Sequence, residues 1–265
     1  MLFRKTKAPP AQQRVSRRSE LFRERTHARY WWYWIRDTAY VPPVFAALSE
    51  QEWSVLDDWF AETERRFENP GEISVPGISM LSGLVGGNGI GAIVQCGHYV
   101  GFSTLMLGFL LRSMGKTRCL FSVDIDPVAT EFTADWVRRA GLQDQVHLHV
   151  GTSADPALPD LAKEYFGRGP QLVLVDSSHQ YAHTLEELDL WYAALERGGL
   201  LLLHDVSKFA QAFDSTGQGG VMRALLEWAQ CNGTSPFLLN SFCDGTQKLD
   251  DLTYRDGCGF GLVQK

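Results

Sequence analysis

The chain has 265 residues, 45 % of them hydrophobic, and a net charge of -6. That is enough for one large domain or a domain plus an appendage, with a core that needs no staples. The five cysteines (Cys96, Cys119, Cys231, Cys243, Cys258) are scattered and odd in number. They lack the C-x2-C spacing of zinc sites, which argues against a zinc module or disulfide framework and suits a reducing cytoplasm. No apolar run approaches the ~20 residues of a membrane span. The basic N-terminus lacks the apolar stretch and cleavage site of a secretion signal. The expectation is a cytoplasmic protein without a membrane partner.

Residues 1–29 carry nine Lys or Arg against two acidic residues and read as a flexible basic arm. The rest of the chain is acidic and would repel phosphate, so a solvated tail, or one docked on a partner subunit, is favoured over nucleic-acid binding. Tyr30-Trp31-Trp32-Tyr33-Trp34 is an aromatic cluster too dense for a tail. Pro42-Pro43 breaks the chain, and Ser49-Glu50-Gln51-Glu52 has the form of a capping box. Trp53, Leu56, Phe60 and Phe67 follow at helical spacing until Asn69-Pro70-Gly71. Residues 30–75 are therefore expected to form a helical, aromatic-rich appendage, packed on the main domain or serving as a homo-oligomer contact, with a lid as the further alternative.

From residue 92 the rhythm changes. Ala92–Cys96, Cys119–Asp124, Gln145–Val150, Gln171–Val175 and Leu200–Leu203 are short apolar runs, with helical stretches at about 102–113, 127–140, 157–165 and 182–196 between them. Asp126-Pro127 starts a helix well, and Gly141 and Gly198-Gly199 stop one. Strands alternating with helices mean a parallel sheet. A helix at about 219–229 and strands at Pro236–Phe242 and Cys258–Val263 complete the expectation. The fold class is α/β: a Rossmann-like, doubly wound, mostly parallel seven-stranded sheet with an N-terminal helical appendage. Gly86-Gly87-Asn88-Gly89-Ile90-Gly91 precedes the first strand and reads as a flexible turn.

In such a sheet, ligands bind beyond the carboxyl ends of the strands. Strand one ends in Gln95-Cys96-Gly97-His98-Tyr99-Val100-Gly101-Phe102-Ser103, where glycines admit a ligand to the backbone. A nicotinamide fingerprint would need glycine at Tyr99. Gly115-Lys116-Thr117 lacks the leading glycine of a P-loop, since Leu110 stands there. Strand two ends in Asp124, suited to ribose hydroxyls. Strand three ends in Val150-Gly151-Thr152-Ser153, where small polar residues suit an adenine edge; His147 and His149 on that strand read as packing residues. Strand four ends in Asp176-Ser177-Ser178-His179 and strand five in His204-Asp205. Two carboxylates at neighbouring strand ends suit a hard cation, and His179 suits proton transfer.

Taken in this order, the strand ends resemble class I S-adenosylmethionine-dependent methyltransferases over about residues 80–265, within an expected methyltransferase domain at 76–265. The likeness is greatest to the branch holding catechol and macrolide-sugar O-methyltransferases and cephalosporin hydroxylase-like proteins. Leu172–Tyr181, Leu188-Asp189-Leu190-Trp191, Gly198–Asp205 and Gly220–Ala224 carry it. The resemblance implies that Gln95, Gly97, Gly101 and Ser103 hold the methionine part of S-adenosylmethionine, Asp124 the ribose, and Thr152 and Ser153 the adenine. It places Asp176 beside the sulfonium, His179 as base, and Asp176, Asp205 and His204 as candidate ligands of a divalent ion such as Mg²⁺. Relatives often carry an acid at Gln95, an Asn ligand at Val206, or a Glu ligand at His204; imidazole favours softer ions than Mg²⁺. The implied reaction is O-methylation of a small-molecule hydroxyl, of a sugar or phenol, with the loop Phe209–Gly219 bordering the acceptor. The alternatives are an N-methyltransferase, or a non-catalytic cofactor-binding scaffold whose basic arm recruits nucleic acid.

Overall fold

The computed structural model describes residues 41–248 and 251–265. The basic arm and the aromatic cluster at 30–34 lie outside them. The chain divides into two compact units, Met1–Glu68 and Asn69–Lys265.

The described part of the first unit holds helices α1 (Pro43–Ala46) and α2 (Glu50–Arg66). The expected capping box is present: Ser49 accepts from the backbone of Glu52, whose carboxylate accepts from the backbone of Ser49. Trp53, Leu56, Trp59, Phe60 and Thr63 form its buried stripe.

The second unit opens with α3 (Val75–Asn88). Gly86 and Gly87 lie inside this helix, in place of the flexible turn expected there. The start signal is local: the Ser74 side chain accepts from Gly77 N, and Pro76 occupies the first turn. Ile78, Leu81 and Val85 are fully buried on one face, and that packing outweighs the poor helix propensity of glycine. Gly89, at φ 67°, closes the helix in the left-handed conformation.

Then β1 (Ile93–Cys96), α4 (Phe102–Ser113), β2 (Leu120–Asp124), α5 (Pro127–Arg139), β3 (Val146–Val150), α6 (Leu158–Phe166), β4 (Leu172–Val175), α7 (Tyr181–Ala194) and β5 (Leu200–His204) alternate. A 3-10 turn (Ala210–Phe213), α8 (Gly220–Cys231), β6 (Phe237–Leu239) and β7 (Phe260–Gln264) follow. The seven strands lie in the order β3-β2-β1-β4-β5-β7-β6. β7 alone reverses direction, pairing antiparallel with β5 and β6. Parallel strands covered on both faces are near-continuous apolar runs, and β1 and β4 are buried at every position, with Gln95 the one polar residue in them.

The chain leaves β1 toward β2 and β3, then returns to β4 on the other side. The reversal opens a crevice at the carboxyl ends of β1 and β4. The two strands close tightly there: Asp176 N donates to Cys96 O at 2.9 Å. Gly97 has φ 89°, and a Cβ on it would lie 2.0 Å from the Asp176 carbonyl oxygen. No described helix is long and apolar enough to cross a membrane.

Candidate active site

The crevice opens into a cavity of about 930 Å³. Gly97, Ser103, Asp124, Thr152, Ser153, Asp176, His179, His204 and Asp205 all line it, so residues spread over 109 positions of sequence converge on one space. Five non-glycine residues among those described have positive φ, and three of them, Tyr99, His179 and Asp205, are on this cavity. Such conformations persist where the surroundings enforce them, and they gather at functional sites.

The first turn is fastened to the second strand. Asp124 Oδ2 accepts from the backbone N–H of His98 at 3.0 Å and of Tyr99 at 2.7 Å, and Oδ1 accepts from Asp126 N at 2.9 Å. Asp124 therefore shapes the turn and still faces the cavity. Gln95 and Gly101 do not line the cavity. The Gln95 amide is fully buried. It donates to Gly97 O and Ser103 Oγ, and it accepts from Thr104 Oγ1 at 2.9 Å. Gly101 sits against Thr133, where a Cβ would approach to 2.8 Å. Ser153 donates to Glu187, a fully buried carboxylate that also accepts from Ser177 Oγ at 2.8 Å. Thr152 is thus the freer hydroxyl at the third strand end.

His98, for which no role is expected from its place in the turn, is locked behind it at 3 % exposure. Thr130 gives its own proton to Asp126 O, so it must accept from His98 Nε2 at 2.9 Å. Nδ1 lies 3.0 Å from Ser122 Oγ, whose proton goes to Gln95 Oε1 at 3.3 Å. Burial, opposed by the charge of Asp124, lowers the His98 pKa to about 4. An unfolded His98 takes a proton near pH 6.5 that the folded one refuses until about pH 4, so stability falls as pH drops through that window. His179 acts in the opposite range. Its stabilisation is complete below its ordinary pKa of 6.5 and is lost as pH rises through about 10. Urea melts of the wild type should weaken from pH 7 to 4.5, and His98→Asn should flatten that slope. An unchanged slope would refute the assignment.

The densest polar cluster lies at the ends of β4 and β5. His179 Nε2 is 3.0 Å from Asp205 Oδ2 and 3.9 Å from Asp176 Oδ1. His204 Nδ1 is 3.3 Å from both Asp176 Oδ1 and Asp205 Oδ2. On its far side, His204 Nε2 meets Asp256 Oδ2 at 3.3 Å, and Ser74 Oγ donates to the same oxygen at 2.8 Å. Burial opposes charge on both imidazoles. The carboxylates overcome it, holding His179 at about 10 and raising His204 well above its ordinary value. Burial likewise disfavours ionised Asp176 and Asp205, and the histidines more than offset it, so both pKa values fall. Asp176, His179 and Asp205 present ligand atoms within 4.8 Å of one another, a set that fits a divalent ion. Phe213 tilts over the His179 ring at 5.8 Å and packs on Phe209. Asp214 fixes this loop by accepting from Thr216, Gln218 and Gly220, the last at 2.9 Å.

Sequence reasoning missed Asp256, Glu187, His183 and His98. Asp256 comes from the loop before β7 and Glu187 from the middle of a helix, so neither sits at a parallel strand end where ligands are sought.

The strand order, the reversal point and the strand-end cavity define the class I methyltransferase architecture. Residues 94–206 match the family described as "Methyltransferase domain". A catechol O-methyltransferase of Niastella koreensis is 29 % identical over 114 residues, 43 % of this chain. The chain spans about half the length of that curated relative, 48 %. Among solved structures, cofactor-bound Rv0187 from MTB aligns with a TM-score of 0.63 at 19 % identity, over 80 % of this chain and 89 % of that one. The O-methyltransferase from Bacillus cereus, in complex with SAH, aligns at 0.62 and 17 % identity, over 85 % and 96 %.

Proposed function

We propose that the protein is an S-adenosylmethionine-dependent O-methyltransferase acting on a hydroxyl of a small molecule. The observation that carries this reading is one cavity joining a ribose-type acid, Asp124, to the Asp176–His179–Asp205 cluster, at the strand edge of a methyltransferase domain. The space suits the cofactor: about 930 Å³ lies at the upper end of ligand pockets, about 300–1,000 Å³, leaving room for an acceptor.

The turn at Gly97 and Ser103 would hold the methionine part, Asp124 the ribose and Thr152 the adenine edge. Gln95 and Gly101 act behind the turn, keeping its shape. The bound cofactor supplies an activated methyl group, so the protein mainly has to bring the acceptor oxygen into line. His179, held protonated by Asp176 and Asp205, donates to that oxygen and orients it, in place of the base role expected from the sequence. The Asp176 carboxylate, which also lines the cavity, is the acceptor for the hydroxyl proton. Phe213, backed by Phe209, gives the acceptor end an apolar wall, which suits a phenol or a glycosylated aromatic compound. A divalent ion held by the Asp176 and Asp205 carboxylates would take the place of the His179 proton and lower the pKa of the acceptor hydroxyl.

The test is turnover with S-adenosylmethionine and a panel of catechols, phenols and sugar alcohols. The reading requires acceptor-dependent release of S-adenosylhomocysteine. Methylation confined to amines would move it to N-methyl transfer.

A further inference from the structure

We infer that His183 reads the nucleobase of the cofactor, its Nδ1–H donating to a ring nitrogen of the adenine, while Ser153 and Glu187 fix the imidazole in place. This rests on the proposed reading that the third strand end takes the adenine. It adds a specificity-determining residue that comes from a helix and not from a strand end.

The protons at this end of the cavity can be placed one by one. Glu187, in the middle of α7, is fully buried. Its Oε2 accepts from Ser177 Oγ at 2.8 Å, and its Oε1 accepts from Ser153 Oγ. A hydroxyl has one proton to give. Ser153 spends its proton on Glu187, so toward His183 Nε2, 3.0 Å away, it can only accept. Nε2 therefore carries a hydrogen, and it also faces Glu187 Oε1 at 3.5 Å. The described residues offer Nδ1 no hydrogen bond.

Charge decides what Nδ1 can do. A carboxylate removed from water is costly unless an opposite charge stands beside it. The two serine hydroxyls carry none. His183, four residues before Glu187 on the same helix face, supplies it. The Glu187 hydrogen bond raises the His183 pKa against the opposing effect of burial. In the imidazolium both ring nitrogens are donors, so Nδ1–H is the one left for a ligand. His183 lines the cavity, as do Thr152, Ser153 and Ser177, and its side chain is 20 % exposed. Trp191 Nε1 donates to Ser153 O at 2.9 Å, which steadies the loop that holds the ring. Adenine offers three ring nitrogens as acceptors, N1, N3 and N7, and each suits a single cationic donor on a preset ring.

Calorimetry on the full-length chain compares S-adenosylhomocysteine with its 1-deaza, 3-deaza and 7-deaza analogues, in the wild type and in His183→Gln. The glutamine amide nitrogen stands in for Nε2 toward Ser153, so the variant removes chiefly the Nδ1 donor. In the wild type one of the analogues should bind roughly ten- to a hundredfold more weakly than the parent compound, as the loss of a hydrogen bond from a charged donor implies. In the variant the parent compound should fall to the level of that analogue, and the analogue itself should lose nothing further. A residue that only supports the fold would weaken all four ligands alike. Parallel losses in the variant, or analogues that all match the parent compound in the wild type, overturn the inference. Folding is checked by circular dichroism, and should His183→Gln not fold, His183→Ala is judged by the same rule. Wild-type binding of S-adenosylhomocysteine without any deaza effect removes only the role of His183. No binding of S-adenosylhomocysteine removes the methyl-transfer reading, and this inference with it.

Discussion

Replacing Asp205 by alanine should unfold the protein at a markedly lower temperature and nearly abolish turnover. Asp205 is 4 % exposed and accepts from both His179 and His204. Its removal leaves the buried His204 and the half-buried His179 sharing only Asp176 on the cavity side. Breaking a buried ion pair from one side costs about 3–5 kcal/mol. For a chain of this size that is a fall in melting temperature on the order of 10 °C. Loss of the group that holds His179 in place should lower kcat by roughly a hundred- to a thousandfold, comparable to removing one preorganised donor from an active site. Asp205→Asn keeps the shape but turns an N–H₂ toward an imidazole N–H, so it should not rescue activity. A melting temperature within 2 °C of wild type, about what 1 kcal/mol or less would give, would refute the assignment, as would kcat within about threefold.

Gly97→Ala should damage stability and cofactor binding together. The backbone there is at φ 89°, and the new Cβ would meet Asp176 O at 2.0 Å and Asp176 C at 2.7 Å. Left-handed strain costs about 1–2 kcal/mol, and overpacking about 1–3 kcal/mol more. The clash is with backbone, so β1 and β4 must separate and carry Asp176 away from the turn. The control is Gly83→Ala within α3, where a Cβ meets nothing within 4 Å. That substitution should be neutral or stabilise by about 0.5–1 kcal/mol. Thermal melts of the two variants, with calorimetry for the cofactor, check the pair. Equal melting temperatures would contradict the close approach of the two strands.

The parallel sheet was legible because each strand is a short apolar run that ends at a turn. Asp124, Asp176 and Asp205 were legible as cavity-lining residues because strand ends face the crevice. Gln95, expected at the cofactor, does not line the cavity because it lies one residue before the strand's last position. Its side chain points into the packing of α4 and β2, where Ser103, Thr104 and Ser122 satisfy it. Asp256 was invisible for the opposite reason. It reaches the site only because β7 runs antiparallel beside β5, a pairing that no local pattern announces. The first helix of the second unit was missed because its glycines read as a turn, while Ser74-Val75-Pro76 and the stripe Ile78, Leu81, Val85 set its start and its buried face.

The central claim is that the crevice binds S-adenosylmethionine through the turn held by Asp124. Titration calorimetry of S-adenosylhomocysteine into the full-length chain tests it most directly, with Asp124→Ala beside the wild type. Hydrogen bonds to a charged group are worth about 1.5–3 kcal/mol, so one-to-one binding should weaken roughly ten- to a hundredfold in the variant. A folded wild-type protein that takes up neither S-adenosylhomocysteine nor S-adenosylmethionine would contradict the account.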